Sequence, residues 1–79
     1  MKTKVILAKD LKAGMTVWDD DPTQDGYITN KMTVVSTAND ELLMRVDEAD
    51  RGCYIENATG LCSFGSISED PIDTWYIKA

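Results

Sequence analysis

Residues 21–32, DPTQDGYITNKM, place oxygen-bearing side chains where a calcium loop would need them. Counted from its start, an EF-hand loop takes ligands at positions 1, 3 and 5, a glycine at 6 and a bidentate glutamate at 12. Asp21, Thr23, Asp25 and Gly26 match that order, and the apolar Ile28 follows in step. Met32 occupies the last position and cannot coordinate. Pro22 and the β-rich flanks also stand where the motif needs helices. The stretch therefore reads as a solvated turn built from Asp, Pro and Gly. An irregular cation site made from Asp19, Asp20, Asp21 and Asp25 is kept only as a third reading, that of a metal- or small-ligand-binding domain.

Other chemistries find less support. The chain has no histidine, which removes the usual general base, the Ser-His-Asp and Cys-His nucleophile systems and the common zinc frameworks. Cys53 and Cys62 are too few for a structural zinc site and lack the C-x-x-C spacing of a redox centre. There is no glycine-rich phosphate loop. A pair of carboxylates of the glycosidase kind is available from fourteen acidic residues, but a chain of 79 residues leaves little room for a substrate cleft of about 300 Å³ or more. The expectation is a non-catalytic protein without a cofactor.

Charge is unevenly placed. The formal net charge is −6, yet residues 1–14 carry four lysines against Asp10, a local balance of +3. The remainder carries four basic and thirteen acidic side chains, a balance of −9. Such a field repels nucleic-acid phosphate, so direct nucleic-acid binding is not expected. It suits a basic protein, including one whose surface normally holds nucleic acid. The aromatic residues agree, because Trp18, Tyr54 and Trp75 have acidic sequence neighbours where a base-stacking platform needs basic ones. Trp18, Phe64 and Trp75 are expected in the core, and Tyr27, Tyr54 and Tyr76 are candidates for an interface.

No apolar run approaches the ~20 residues of a membrane span, and VILA is short of the ~7–15 residues of a signal-peptide core. A cytoplasmic location is expected. Cys53 and Cys62 flank a hairpin turn, ENATG, and neither plausible register sets them opposite each other. Diagonal neighbours lie ~7–8 Å apart, beyond usual disulfide reach. Two reduced, mostly buried thiols follow from this.

The elements that must position these groups are mostly strands, in a single domain. Residues 3–8, TKVILA, form a β-rich run, and in the DLKAGM turn Leu11 is placed to plug the core. Residues 15–18 resume the extended pattern, and residues 27–37, YITNKMTVVST, are rich in strand-favouring side chains. Residues 38–52 admit two readings. One is a helix over about 39–51 capped by Asn39 and ended by Gly52. The favoured one is a strand at 41–46, with Leu42, Met44 and Val46 inward, Leu43 and Arg45 outward, and a hairpin turn at Ala38–Glu41. CYIE and LCSF read as a hairpin, and DTWYIK as a strand with Trp75 and Ile77 on one face and Tyr76 on the other.

Short strands with turn signals every ~8–12 residues indicate a small barrel or sandwich. The segment VILAKDLKAGMTVW also resembles the opening of SH3-like and related small barrels, in which a first strand runs through an Asp-Leu-Lys-x-Gly turn into a second. That resemblance implies architecture only. The expected fold is mainly β, an SH3-like or related barrel or sandwich of five to seven short strands, with an α+β alternative if 39–51 is helical.

The function read from these residues is an acidic protein-binding module. Its candidate contact residues are Asp19, Asp20, Asp21, Asp25 and Tyr27, then Asp47, Glu48 and Asp50. Small acidic domains of this type suit an inhibitor or adaptor of phage or mobile-element origin. The alternative is a self-associating assembly protein, since a small barrel can leave an edge strand open. Neither reading involves a membrane.

Overall fold

The computed structural model describes residues 1–24, 29–49 and 61–79. Within them, six strands form one antiparallel sheet: β1 (Thr3–Leu7), β2 (Thr16–Trp18), β3 (Lys31–Ser36), β4 (Glu41–Glu48), β5 (Leu61–Ser66) and β6 (Thr74–Lys78). Their order across the sheet is β1-β6-β2-β3-β4-β5. Strands β2 to β5 follow chain order, as hairpin-linked strands tend to. Strand β6 breaks that order by lying between β1 and β2.

The sheet is open, with β1 and β5 at its two ends, so the expected closed barrel or two-sheet sandwich is not what forms. It does curl. The Phe64 ring of β5 meets the Trp75 ring of β6 edge to face, with centroids 5.5 Å apart, although three strands separate β5 from β6 in the sheet. Curling lets one sheet bury its own concave face, where a flat sheet would need a second layer. Ala8, Leu11, Val17, Met32, Val34, Leu42, Met44 and Trp75 make that core, and Ile6, Met15, Val46, Phe64, Ile67 and Ile77 pack around it.

Residues 41–48 are strand throughout, which rules out the helical alternative over its described part. The alternation of Leu42, Met44 and Val46 against Leu43 and Arg45 decides this, since each inward side chain lands on the core. The turn before β4 places Asn39 and Asp40 at φ +56° and +61°. Two consecutive left-handed residues are what a tight hairpin turn requires, and Asn and Asp tolerate that region better than most. Leu11 plugs the core as expected, with 5% of its surface exposed. Its turn closes through Leu11 N–H to the Ala8 carbonyl, 3.2 Å, and Gly14 takes up the positive φ beyond it. Strand β3 begins at Lys31, so the expected run over 27–37 is shorter at its start among the described residues. Cys62 is a free, half-buried thiol. Cys53, Tyr54 and the ENATG turn lie outside the described residues.

Candidate functional site

The alternation that buries Val17 forces Trp18 to the opposite face. Val17 is fully buried while Trp18 is half-buried, and Trp18 stands outside the core cluster. The core position expected for Trp18 is thus wrong. Phe64 and Trp75 do join the core region.

On the outer face, directly paired residues build a continuous row across five strands. Val5 of β1 faces Tyr76 of β6, Tyr76 faces Trp18 of β2, Trp18 faces Lys31 of β3, and Lys31 faces Glu48 of β4. Directly opposed residues share a sheet face with Cβ atoms ~4.5–5.5 Å apart. Sequence neighbours gave Trp18 an acidic setting, whereas strand pairing gives it Tyr76 and Lys31. The signal was present in MTVW: with Met15 and Val17 inward, Trp18 had to point outward. Trp18, Pro22, Thr29, Lys31, Glu48 and Ala49 line a cleft of about 190 Å³ at this end of the sheet. That is below the ~300 Å³ at which small-molecule sites begin, though it accommodates a single side chain.

The acidic residues divide into those held inside the fold and those left free. Asp19 accepts the backbone N–H of Asn30 at 2.7 Å and its side-chain Nδ2–H at 2.6 Å. The Thr29 hydroxyl lies 3.1 Å from the Asp19 carboxylate and 2.9 Å from the Asp20 carbonyl, and its one proton serves one of them at a time. Asp21 accepts the Thr3 hydroxyl at 2.8 Å, the Thr23 N–H at 3.0 Å and the Thr23 hydroxyl at 2.7 Å. Asp47 accepts the Thr33 hydroxyl at 2.5 Å and pairs with the Arg45 guanidinium at 2.9 Å. By contrast, the carboxylates of Asp20 and Glu48 have no partner among the described residues. Asp25, Tyr27 and Asp50 lie outside those residues.

Asp40, outside the expected contact residues, is as heavily bonded as Asp21, its carboxylate taking three hydrogen bonds. It accepts the hydroxyl of Ser66, the hydroxyl of Ser68 at 2.5 Å and the Ser68 N–H at 2.8 Å. Its carbonyl accepts the Ile67 N–H at 3.1 Å. These bonds tie the β3–β4 turn to the β5–β6 connection and hold Asp40 in its left-handed conformation.

Three carboxyls sit below the ordinary range for the same reason. The Thr23 hydroxyl and N–H and the Thr3 hydroxyl lower Asp21. The Ser66 and Ser68 hydroxyls lower Asp40. The Thr33 hydroxyl, followed by Arg45, lowers Asp47. Each contribution to stability is complete above the unfolded-state value near 3.8 and is lost as pH falls through the lower folded-state value. Urea midpoints are therefore expected to be flat from neutrality to about pH 5 and to drop below about pH 4. The Asp40→Asn variant should show a shallower drop, because one of the three groups no longer titrates.

The acidic groups do not gather on one face. Among the described acidic candidates, Glu48 is the one that lines the cleft beside Trp18. Asp70 and Asp73 lie with Ala8, Leu42, Phe64, Ser66, Ile67 and Trp75 around a second cavity of about 10 Å³. Leu42 and Glu48 mark the two ends of β4, an eight-residue strand, so the two regions are separated by about 20 Å. In the second, Trp75 is nine-tenths buried and its indole N–H has no acceptor among the described residues. Leaving such a donor unsatisfied costs about 1–3 kcal/mol.

Comparison with known families finds no matching family model, and comparisons with curated proteins and with solved structures find no significant match. Among the described residues, no group of three or more His, Cys, Asp or Glu could hold a metal ion. Among the described residues, no helix is long and apolar enough to cross a membrane. The chain is a small acidic domain whose outer sheet face pairs Tyr76 with Trp18.

Proposed function

We propose that this domain is a non-catalytic recognition module that docks a basic protein on the outer sheet face, with Trp18 as its anchor. The observation that carries the reading is the row Val5–Tyr76–Trp18–Lys31–Glu48. It leaves a half-buried tryptophan beside a side-chain-sized cleft lined by Glu48, with Asp20 two residues along the chain from Trp18, and neither carboxylate has a partner among the described residues. Tryptophan and tyrosine dominate binding energy at protein interfaces because they bury large areas at low entropic cost. Free carboxylates around such an anchor, within a protein of net charge −6, steer a basic surface into place. An inhibitor or adaptor that covers a surface otherwise used for nucleic acid is the finer form of this reading. Asp19, Asp21 and Asp47 support the site by shaping its loops and are not contact residues in it.

The test is affinity capture of partners from lysate at low and at high salt, with three baits. The unaltered protein should retain a basic partner at low salt and lose it at high salt. Asp20→Asn combined with Glu48→Gln should weaken capture by about three- to twentyfold, the value of one or two rim charge contacts. Trp18→Ala should abolish it, since truncating a central anchor costs ≥ ~2 kcal/mol. Capture unaffected by Trp18→Ala in a folded variant would sink the outer-face reading.

Self-association is the second reading, favoured by one observation. Strand β1 ends the sheet order, and Val5 on it is 52% exposed. An open strand edge offers its backbone to a second copy. Light scattering separates the two: a dimer that persists on dilution supports assembly, and a monomer supports the recognition module.

A further inference from the structure

Strand β1 ends the sheet, and its hydrogen bonds show which backbone groups are spent. The Ala79 N–H donates to the Lys2 carbonyl at 2.8 Å, and the Ala8 N–H donates to the Asp73 carbonyl at 2.8 Å. Between these two pairs the register runs unbroken, from Thr3 opposite Lys78 to Leu7 opposite Thr74. In an antiparallel ladder, pairs that exchange hydrogen bonds alternate with pairs that do not. Lys2, Lys4, Ile6 and Ala8 therefore turn their backbone groups toward β6, and Thr3, Val5 and Leu7 turn theirs away from it. Among the described residues, no other strand or loop takes up those three. Val5, at their centre, is 52% exposed, so an incoming chain can reach this edge.

Such an edge takes one more extended strand, whose main chain supplies affinity while side chains set the choice. The side chains of β1 divide by parity. Lys2 and Lys4 share the side of Ile6, which packs against the core. Both lysines are exposed, and neither forms an ion pair among the described residues. Thr3 and Val5 stand on the outer side, where the Thr3 hydroxyl donates to Asp21 at 2.8 Å. A complementary strand thus carries acidic residues opposite the lysines and uncharged ones on the side of Asp21. The local balance of +3 over residues 1–14, in a chain of net charge −6, draws an acidic segment to this edge. The same lysines discourage a second copy, whose β1 brings its own positive charges alongside.

We infer that the free edge of β1 is a strand-addition site for an extended segment of a partner protein, with acidic residues at alternate positions opposite Lys2 and Lys4. The inference goes beyond the outer-face reading and does not rest on it, because it uses neither Trp18 nor the cleft.

The probe is the capped hexapeptide acetyl-Thr-Val-Val-Glu-Thr-Glu-amide, and the readout is amide hydrogen exchange in nitrogen-15-labelled protein. Laid antiparallel to β1, it sets its glutamates opposite Lys4 and Lys2 and its second valine opposite Val5. Without probe, the Lys4 and Ile6 amides should be protected, while those of Thr3, Val5 and Leu7 exchange fast. Millimolar probe should slow these three saturably. Changing both glutamates of the probe to glutamine should weaken binding about two- to thirtyfold, the value of two cross-strand charge pairs. Lys2→Gln with Lys4→Gln should erase that difference. Val5→Pro removes an edge donor that β6 does not use, and should abolish binding with the Lys4 and Ile6 amides still protected. Protection of Thr3, Val5 and Leu7 without probe would overturn the inference: at all protein concentrations it would mean an edge covered by the chain itself, and only at high concentration a second copy as occupant. Unslowed exchange at millimolar probe would overturn it as well. Equal affinity for the acidic and neutral probes would overturn the assignment to an acidic strand.

Discussion

Replacing Met44 by alanine is expected to lower the unfolding free energy by about 2–5 kcal/mol, the range for truncating a large buried aliphatic side chain. Met44 has no exposed surface. It pairs with Val34 on one side and Cys62 on the other, so the void opens at the middle of the concave face. A domain of 79 residues has roughly 4–12 kcal/mol in total. The variant should therefore lose a large fraction of its stability and show a much lower urea midpoint with an unchanged slope. Met44→Leu conserves volume and should cost less than ~1.5 kcal/mol. Val35→Ala, at a 40%-exposed position of β3, should stay within about 0.5 kcal/mol. Equal losses at Met44 and Val35 would show that the concave face is not the core.

Asp19→Ala should have the second-largest effect, and for a reason unrelated to binding. Asn30 is 1% exposed, and Asp19 accepts both its backbone N–H and its side-chain N–H. Removing the carboxylate strips a buried polar residue of two charge-assisted bonds, at about 1–3 kcal/mol for each donor left unsatisfied. Asp20→Ala, one residue further on, should leave the urea midpoint within about 0.5 kcal/mol of the parent. This contrast bears on function. Neutralising Asp19, Asp20 and Asp21 together would damage the β2–β3 loop and remove a charge from the surface in one step. Loss of a partner in that triple variant would say little, whereas loss in a stable Asp20→Asn, Glu48→Gln variant speaks to the interface.

Local alternation was the most legible part of the fold. Leu42, Met44 and Val46 against Leu43 and Arg45 announced a strand, and Trp75 and Ile77 against Tyr76 announced another. Both are short-range patterns whose period is a direct product of strand geometry. The Ala38–Glu41 turn was legible too, through its Asn-Asp pair. Closure of the sheet was not, because it depends on how far six strands coil, which no single residue encodes. Nor was the position of β6, since pairing residues 74–78 with 3–7 links the two ends of the chain order. The site was read by its charges, and charge alone could not separate Asp20 from Asp19 and Asp21. What distinguishes them is a set of hydrogen bonds, from Asn30 eleven residues along and from Thr3 eighteen residues back. Trp18 lies outside the core because its parity with the buried Val17, and not its aromatic bulk, sets the face it occupies.

The place of β6 also sets the order in which the molecule can be assembled. Strands β2 to β5 are joined to their neighbours by local hairpin pairings, and the nucleus of folding is expected there, where loop-closure entropy is smallest. Among the described residues strand β1 has no such neighbour, because it pairs with β6. During synthesis, residues 3–7 and the free side of β2 must wait until residues 74–78 have left the ribosome, with Ile6 and Val17 exposed meanwhile. Insertion of β6 is then a single late step that covers both edges at once. Such a step exposes the nascent chain to strand-swapped pairing between copies, a hazard that ends only when β6 docks.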